Sequence, residues 1–390
     1  SPSATFAMLQ KANELKAAGV DVISFSVGEP DFDTPDSIKA AACKAIEENY
    51  TKYYPTPGYP WLKKAICEKL KRENGLDYTP AQICVSTGSK QALCNTLLAV
   101  VDDGDEVLTP TPCWGSYQQM VILAGGPPVE IFGGIENDYK ITAAQLEAAI
   151  TPRTKALMIC SPSNPTGAVY SREELSALVE VLEKHPRIVV LSDEVYEHLD
   201  YSGKFVSLGS FSQLRERLVI TNGVSKAYAM TGWRLGYMAG PEAIVKACQK
   251  IQDQYTSGAC SVSQKAAEAA LNGPKDDLVK MREAYIRRRE LVTRLLREIP
   301  GLEVNFPDGA FYSFIKCASF NGRKWTNAAG EEKVIRGGDD LVMYLLEKAH
   351  VASVGGGFFG APDYFRISYA TSDECIIEGV ARIKKALAEL

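Results

Sequence analysis

The sequence predicts an α/β protein: a large, mainly parallel sheet sandwiched by helices, with a smaller α+β domain made from the two ends of the chain. Three observations carry this. Short, nearly continuous apolar runs such as "KALMICS" and "RIVVLSD" read as strands buried on both faces. Helical patterns alternate with them through the middle of the chain, as a parallel sheet with crossover helices requires. From about Asp277 the texture changes to one long charged amphipathic segment followed by shorter strands.

In chain order, "AQICVS" is a strand and "SKQALCNTLLAVV" a helix; "DEVLTP" is a strand and "WGSYQQMVILAG" a helix. "KALMICS", "RIVVLSD", "LVITNG" and "LGYMAG" complete the run of buried strands. Ser171 with Glu174 forms a capping box ahead of "LSALVEVLEK", and Thr79 with Gln82 marks a second helix start. "DLVKMREAYIRRRELVTRLLREI" is a long helix, "LEVNF" and "AFYSFIKC" are strands, and "CIIEGVARIKKALAEL" is a closing helix. The expected division is residues 1–30 with 277–390 as the small α+β domain and residues 31–276 as the large one. No internal repeat or low-complexity linker is visible.

Composition narrows the function. The chain has 390 residues, 46% hydrophobic and 23% charged, which is ordinary for a globular protein. A net charge of −5 opposes nucleic acid and acidic membrane surfaces as partners. No apolar run reaches the roughly 18 residues of a membrane span. The N-terminal stretch has neither a signal-peptide core nor Arg-rich transit character. The ten cysteines are scattered, with no C-x-x-C, and fit a reducing, cytoplasmic setting. The three histidines, His185, His198 and His350, cluster with nothing in the sequence, which argues against a His-based metal site or a Ser-His-Asp triad. No metal is expected, and proton transfer is expected to fall to another residue type.

Several loops carry candidate chemistry. "VGGGFFG" formally contains G-x-G-x-x-G but lacks the following helix of a dinucleotide site. Gly88-Ser89-Lys90 lies between a strand and a helix, where free N–H groups and the helix dipole suit a phosphate; a plain tight turn suits it equally. Asp193 ends a strand, where α/β ligands bind, and Glu194 and Tyr196 follow it; a solvated cap is the bland alternative. Asn164 stands in a Pro-bracketed turn that composition alone reads as a loop. Lys226 sits in the small-residue run Ser225-Lys226-Ala227, with Arg234 eight positions on. Alone, Lys226 reads as a buried stem with a solvated head. Taken together, these residues are what pyridoxal phosphate needs: an amine for a Schiff base, an acid for the pyridine nitrogen and a phosphate cradle.

"VGEPDFDTP", "SPSNPTGAVYS", "SDEVYEHL", "SKAYAMTGWRLGY" and "FRISYATS" together give the chain a resemblance, from Pro2 to its C-terminus, to the class I aminotransferases of the pyridoxal-phosphate fold-type I superfamily. Within that family it is most similar to the bacterial aspartate and prephenate aminotransferases. The resemblance implies a role for each matching position. Lys226 is the Schiff-base lysine, Asp193 the partner of the pyridine nitrogen, and Tyr196 and Asn164 the donors to the ring's phenolic oxygen. Arg234, Gly88, Ser89 and Lys90 bind phosphate, and Trp114 stacks on the ring. Arg366 binds the substrate α-carboxylate, and the Gly28 backbone borders the substrate. Tyr53 is expected to reach the phosphate of a partner subunit, which implies a homodimer with shared sites. Thr5 and Lys90 match the residues that meet a distal carboxylate. Many relatives carry Ser three before the lysine where this chain has Gly223; Ser225, beside the lysine, is the candidate substitute. "FNGRKWTNAAGEEKVIRGGDD" is longer than usual and reads as a surface hairpin or loop without a role.

The implied activity is ping-pong transamination between amino acids and 2-oxo acids, with aspartate and 2-oxoglutarate first. Prephenate, aromatic or kynurenine-type substrates come second. A pyridoxal-phosphate lyase would share every cofactor residue.

Overall fold

A computed structural model describes the backbone of residues 4–390 and the side chains of residue 8 and residues 10–390. Its centre is a seven-stranded sheet of β1 (Ile83–Ser86), β2 (Glu106–Thr111), β3 (Pro128–Phe132), β4 (Thr154–Cys160), β5 (Val189–Asp193), β6 (Leu218–Gly223) and β7 (Gly236–Ala239). The spatial order is β1-β7-β6-β5-β4-β2-β3. Every pairing is parallel except those of β7, which runs antiparallel to β1 and β6.

Side-chain alternation explains why these strands read as continuous apolar runs. On β4, Leu157 and Ile159 join one core while Ala156 and Met158 join another on the opposite face. Val190 and Leu191 of β5 divide in the same way. Both faces are covered by helices, so neither set of positions is free to be polar. Truncating a fully buried leucine such as Leu157 is expected to cost roughly 2–5 kcal/mol.

The Ser171 capping box forms as expected: its hydroxyl accepts from Glu174 N–H, the Glu174 carboxylate accepts from Ser171 N–H, and the helix Arg172–Glu183 follows. The Thr79–Gln82 box forms too, but it opens only the single turn Pro80–Gln82, because β1 begins at Ile83. It is a strand entry rather than a helix start.

A second sheet, ordered β10-β11-β9-β8, is antiparallel and consists of β8 (Glu303–Val304), β9 (Tyr312–Lys316), β10 (Val354–Gly355) and β11 (Tyr364–Ser368). Its core includes Met281, Val292 and Leu296 of the long helix Asp276–Arg297, and Ile376, Val380 and Ile383 of the helix Asp373–Leu387. Met8 and Ala12 of the N-terminal helix Ala4–Ala17 belong to the same cluster. The strand expected in "LEVNF" is only two residues long; Phe306 is partly exposed and Pro307 has no N–H for a ladder. The segment after Phe320 is a surface hairpin, Lys324–Thr326 paired with Glu332–Val334, with Trp325 edge-on to Tyr344 at 5.2 Å. Among the described residues, no helix is long and apolar enough to cross a membrane.

This arrangement points the C-terminal ends of β4, β5 and β6 at one edge of the large sheet. The antiparallel sheet brings β9 and β11 to the same edge.

Candidate active site

At that edge lies a cavity of about 530 Å³, within the roughly 300–1,000 Å³ usual for small-molecule sites. Asp193, the last residue of β5, is 5% exposed and faces it. Its carboxylate accepts from the Tyr117 hydroxyl at 2.6 Å and from Val195 N–H at 3.3 Å. Burial raises its pKa, while the Tyr117 and Val195 hydrogen bonds and the Lys226 charge hold it back.

Lys226 follows β6 through a tight turn, and its ammonium donates to the Gly28 carbonyl. Burial pushes its pKa down to about 8, helped by the Arg366 and Arg234 charges and opposed by Glu29 and Asp193. At pH 7 that leaves roughly a tenth of the amine neutral, against on the order of one in a few thousand for an ordinary lysine. The small residues beside Lys226 now have a reason: Ser225 and Ala227 are both buried, so the turn packs closely and holds Lys226 at the cavity, where Ser225 lines the wall beside it.

Gly88 ends the loop after β1 and precedes the helix Ser89–Val100. Its φ is +80°, and a Cβ there would lie 2.3 Å from Nη2 of Arg234. Glycine is therefore required both by backbone conformation and by the approach of the guanidinium. Arg234 itself has φ +51° and is held by a 2.8 Å bond from Nη1 to the Thr231 carbonyl. Ser89 Oγ donates to the Asn222 carbonyl at 3.0 Å, tying this helix start to β6. The Lys90 ammonium sits 4.5 Å from the centroid of Trp114, and burial together with Arg234 lowers its pKa.

On the opposite wall, Arg366 of β11 is 2% exposed. Its Nη1 donates to Asn164 Oδ1 at 2.9 Å and its Nη2 to the Ser26 carbonyl at 2.7 Å. Its Nε is buried with no partner among the described residues. Oδ1 of Asn164 thus accepts from Arg366, and the Asn164 amide nitrogen has no partner among the described residues. The hydroxyls of Tyr196 and Tyr312 lie 2.8 Å apart, and a Cβ on Gly28 would come within 2.4 Å of the Tyr312 hydroxyl.

The fold thus gathers Gly28, Ser89, Lys90, Trp114, Asn164, Asp193, Tyr196, Ser225, Lys226, Arg234 and Arg366 around one cavity, with Gly88 directly behind Arg234. Tyr53 is not brought there; it is 100% exposed on the surface. The Thr5 side chain lies outside the described residues. Sequence reasoning missed Tyr117 and Tyr312. Tyr117 had a signal, since it stands one helical turn from Trp114. Tyr312 had none, because only tertiary packing carries β9 to the cavity.

A buried polar network lies behind the site. Lys69 pairs with Glu197, the neighbour of Tyr196 in sequence, and the pair is 1% and 5% exposed at the side chains. Asn74 and Asn222 donate to the same carboxylate at 2.7 and 2.6 Å, and Asn222 Oδ1 accepts from Gly223 N–H. The network links the Tyr196 turn to the end of β6 that leads to Lys226.

Residues 20–383 match the family model described as aminotransferase class I and II. The chain is 51% identical over 391 residues to the aspartate/prephenate aminotransferase of Cereibacter sphaeroides, covering 100% of this chain and 97% of that one. It is 47% identical to the aspartate/prephenate aminotransferase of Nitrosomonas europaea, covering 99% and 97%. Among solved structures it resembles the aspartate aminotransferase from Rhizobium meliloti, with a TM-score of 0.94, 46% identity and coverage of 100% and 96%. For the aspartate aminotransferase from Thermus thermophilus with maleate, the TM-score is 0.92, with 41% identity and coverage of 99% and 97%. Likeness in sequence and likeness in fold both run the length of the chain, and this protein belongs to the aminotransferase class I and II family.

Proposed function

We propose that this aminotransferase uses pyridoxal phosphate and exchanges amino groups between aspartate and 2-oxoglutarate, with prephenate as a further acceptor. The observation that carries the reading is the convergence of Lys226, Asp193 and Arg366 on one cavity. The names of its relatives, aspartate/prephenate aminotransferases, support the substrate class.

The residues fit this cofactor. Asp193 offers a buried carboxylate to which, among the described residues, no cationic side chain is bonded, and this suits a protonated ring nitrogen. The glycine at 88 lets Arg234 close over a helix N-terminus, which suits a phosphate dianion. Trp114 offers an aromatic wall to a planar ring.

When bound, the cofactor supplies an electron sink for negative charge on the substrate Cα. The chain supplies everything else. Arg366 holds the α-carboxylate in a pocket dry enough for a charge-assisted pair to be strong. Lys226, with its lowered pKa, would take the proton from the substrate Cα and deliver one to the cofactor carbon that is bonded to the substrate nitrogen. Asp193 holds a proton on the ring nitrogen, and Tyr196 and Asn164 donate to the phenolic oxygen. Lys90, with Thr5, meets the distal carboxylate. We take residues 1–30 and 277–390 as the smaller unit, which carries Arg366 to the site on the larger one. Two copies are expected to share their sites, with Tyr53 serving the partner.

Steady-state rates with aspartate, glutamate, phenylalanine, kynurenine and prephenate, read as 2-oxo acid formed, test the reading. Aspartate and glutamate should lead. A preference for phenylalanine or kynurenine would overturn the dicarboxylate assignment, and release of ammonia in place of amino transfer would make the protein a lyase.

A further inference from the structure

Tyr312 is not among the groups given a chemical task above, yet it touches three that are. It is fully buried at the start of β9. Its hydroxyl lies 2.8 Å from that of Tyr196. Its ring lies 4.5 Å below the Arg366 guanidinium. Its hydroxyl also fills the space a side chain at position 28 would need.

Proton bookkeeping decides what the two hydroxyls do. Each carries one proton, and the contact between them uses one of the two. If Tyr196 donated to Tyr312, the Tyr312 proton would be the one left over; no described residue accepts it, and although Tyr312 also lines the cavity, its hydroxyl is the one packed against the Gly28 backbone. If Tyr312 donates to Tyr196, the Tyr196 proton is left pointing at the cavity. With an anionic oxygen in the cavity, the second arrangement is favoured twice. The Tyr196 bond becomes charge-assisted, and Tyr312 polarises it further.

We infer that Tyr312 is a positioning residue: its hydroxyl donates to the Tyr196 oxygen and thereby aims the single Tyr196 proton at the anionic oxygen of the bound ring. The inference rests on the pyridoxal-phosphate reading and extends it to a residue on the other sheet. The Tyr312 ring backs Arg366 as well, so one side chain ties the carboxylate anchor to the ring's hydrogen-bond donor.

The test is a spectroscopic titration of loaded enzyme. A donor aimed at the phenolic oxygen stabilises its anionic form, so it lowers the pH midpoint at which the bound chromophore takes up a proton. Tyr196→Phe should raise that midpoint. Tyr312→Phe, which keeps the ring under Arg366, should raise it by about 0.5–1 unit, the equivalent of one weakened hydrogen bond. The double variant should add little to Tyr196→Phe alone, because Tyr312 acts through Tyr196. A midpoint unmoved by Tyr312→Phe, or a double variant whose shift is the sum of the two, overturns the inference. If wild type takes up no pyridoxal phosphate, the cofactor reading falls and this inference falls with it. If wild type titrates normally and only the Tyr312 effect is missing, the inference alone falls.

Discussion

The Tyr117 hydroxyl donates a 2.6 Å hydrogen bond to Oδ2 of Asp193, inside a pocket that leaves the aspartate 5% exposed. Burial raises the Asp193 pKa and this bond lowers it, so Tyr117 helps to keep the carboxylate charged. Tyr117→Phe should let the pKa rise further. Activity would then be lost at a higher pH on the acid side than in wild type. A bond to a charged acceptor is worth roughly 1.5–3 kcal/mol, so a ten- to hundredfold loss in kcat is the expected scale. Asp193→Asn, which removes the charge altogether, should lose several orders of magnitude. A pH–rate profile of Tyr117→Phe that overlays wild type would remove Tyr117 from this role.

Lys226→Ala should abolish turnover while leaving phosphate-mediated cofactor binding measurable. In wild type, borohydride should fix the cofactor to a peptide containing Lys226, identified by mass. The amine must be neutral to attach, and its pKa is lowered to about 8. The attachment rate should therefore rise with pH through that value and level off above it. A rate still climbing steeply toward the ordinary lysine range would show that the site does not perturb Lys226.

Lys90→Ala should cost aspartate about 10- to 100-fold in kcat/KM, the scale of one charge-assisted contact. Phenylalanine and alanine, which lack the distal carboxylate, should change little. The ammonium also lies over Trp114, so a small common loss from altered ring stacking is expected for every substrate. Equal losses for dicarboxylic and neutral substrates would place Lys90 on the cofactor side.

Lys69→Met should destabilise the fold by roughly 3–5 kcal/mol, because it leaves the Glu197 carboxylate buried without its cation. Chemical denaturation measures this directly. The double variant Lys69→Met/Glu197→Gln should recover part of the loss. Equal destabilisation by the single and double changes would mean that packing, rather than uncompensated charge, sets the cost.

Tyr53 is fully exposed on this chain, which suits a residue that completes a neighbour's site. Sedimentation should give a dimer, and Tyr53→Phe should weaken cofactor retention without weakening the dimer. A fully active monomer at assay concentration would contradict the shared-site arrangement.

Much of this molecule was legible in its residues, for a physical reason. Strands buried on both faces must be apolar throughout, so β4, β5 and β6 announce themselves without an alignment. A phosphate loop needs Gly88 for its positive φ, and a strand-end acid needs its place at the C-terminal edge of the sheet. These demands act over a few residues, and spacing records them. What spacing cannot record is the meeting of elements far apart in the chain. Thr79 and Gln82 have the sequence of a helix start, yet β1 claims the next residue and leaves a single turn. Lys69 lies 128 positions from Glu197, and Tyr196 lies 116 from Tyr312. Each pair exists because two packed layers bring it together, and each is strong because the same packing removes water from it. Residue chemistry and local turns were the sequence's to determine; which buried groups share a proton or a charge was decided by the tertiary structure.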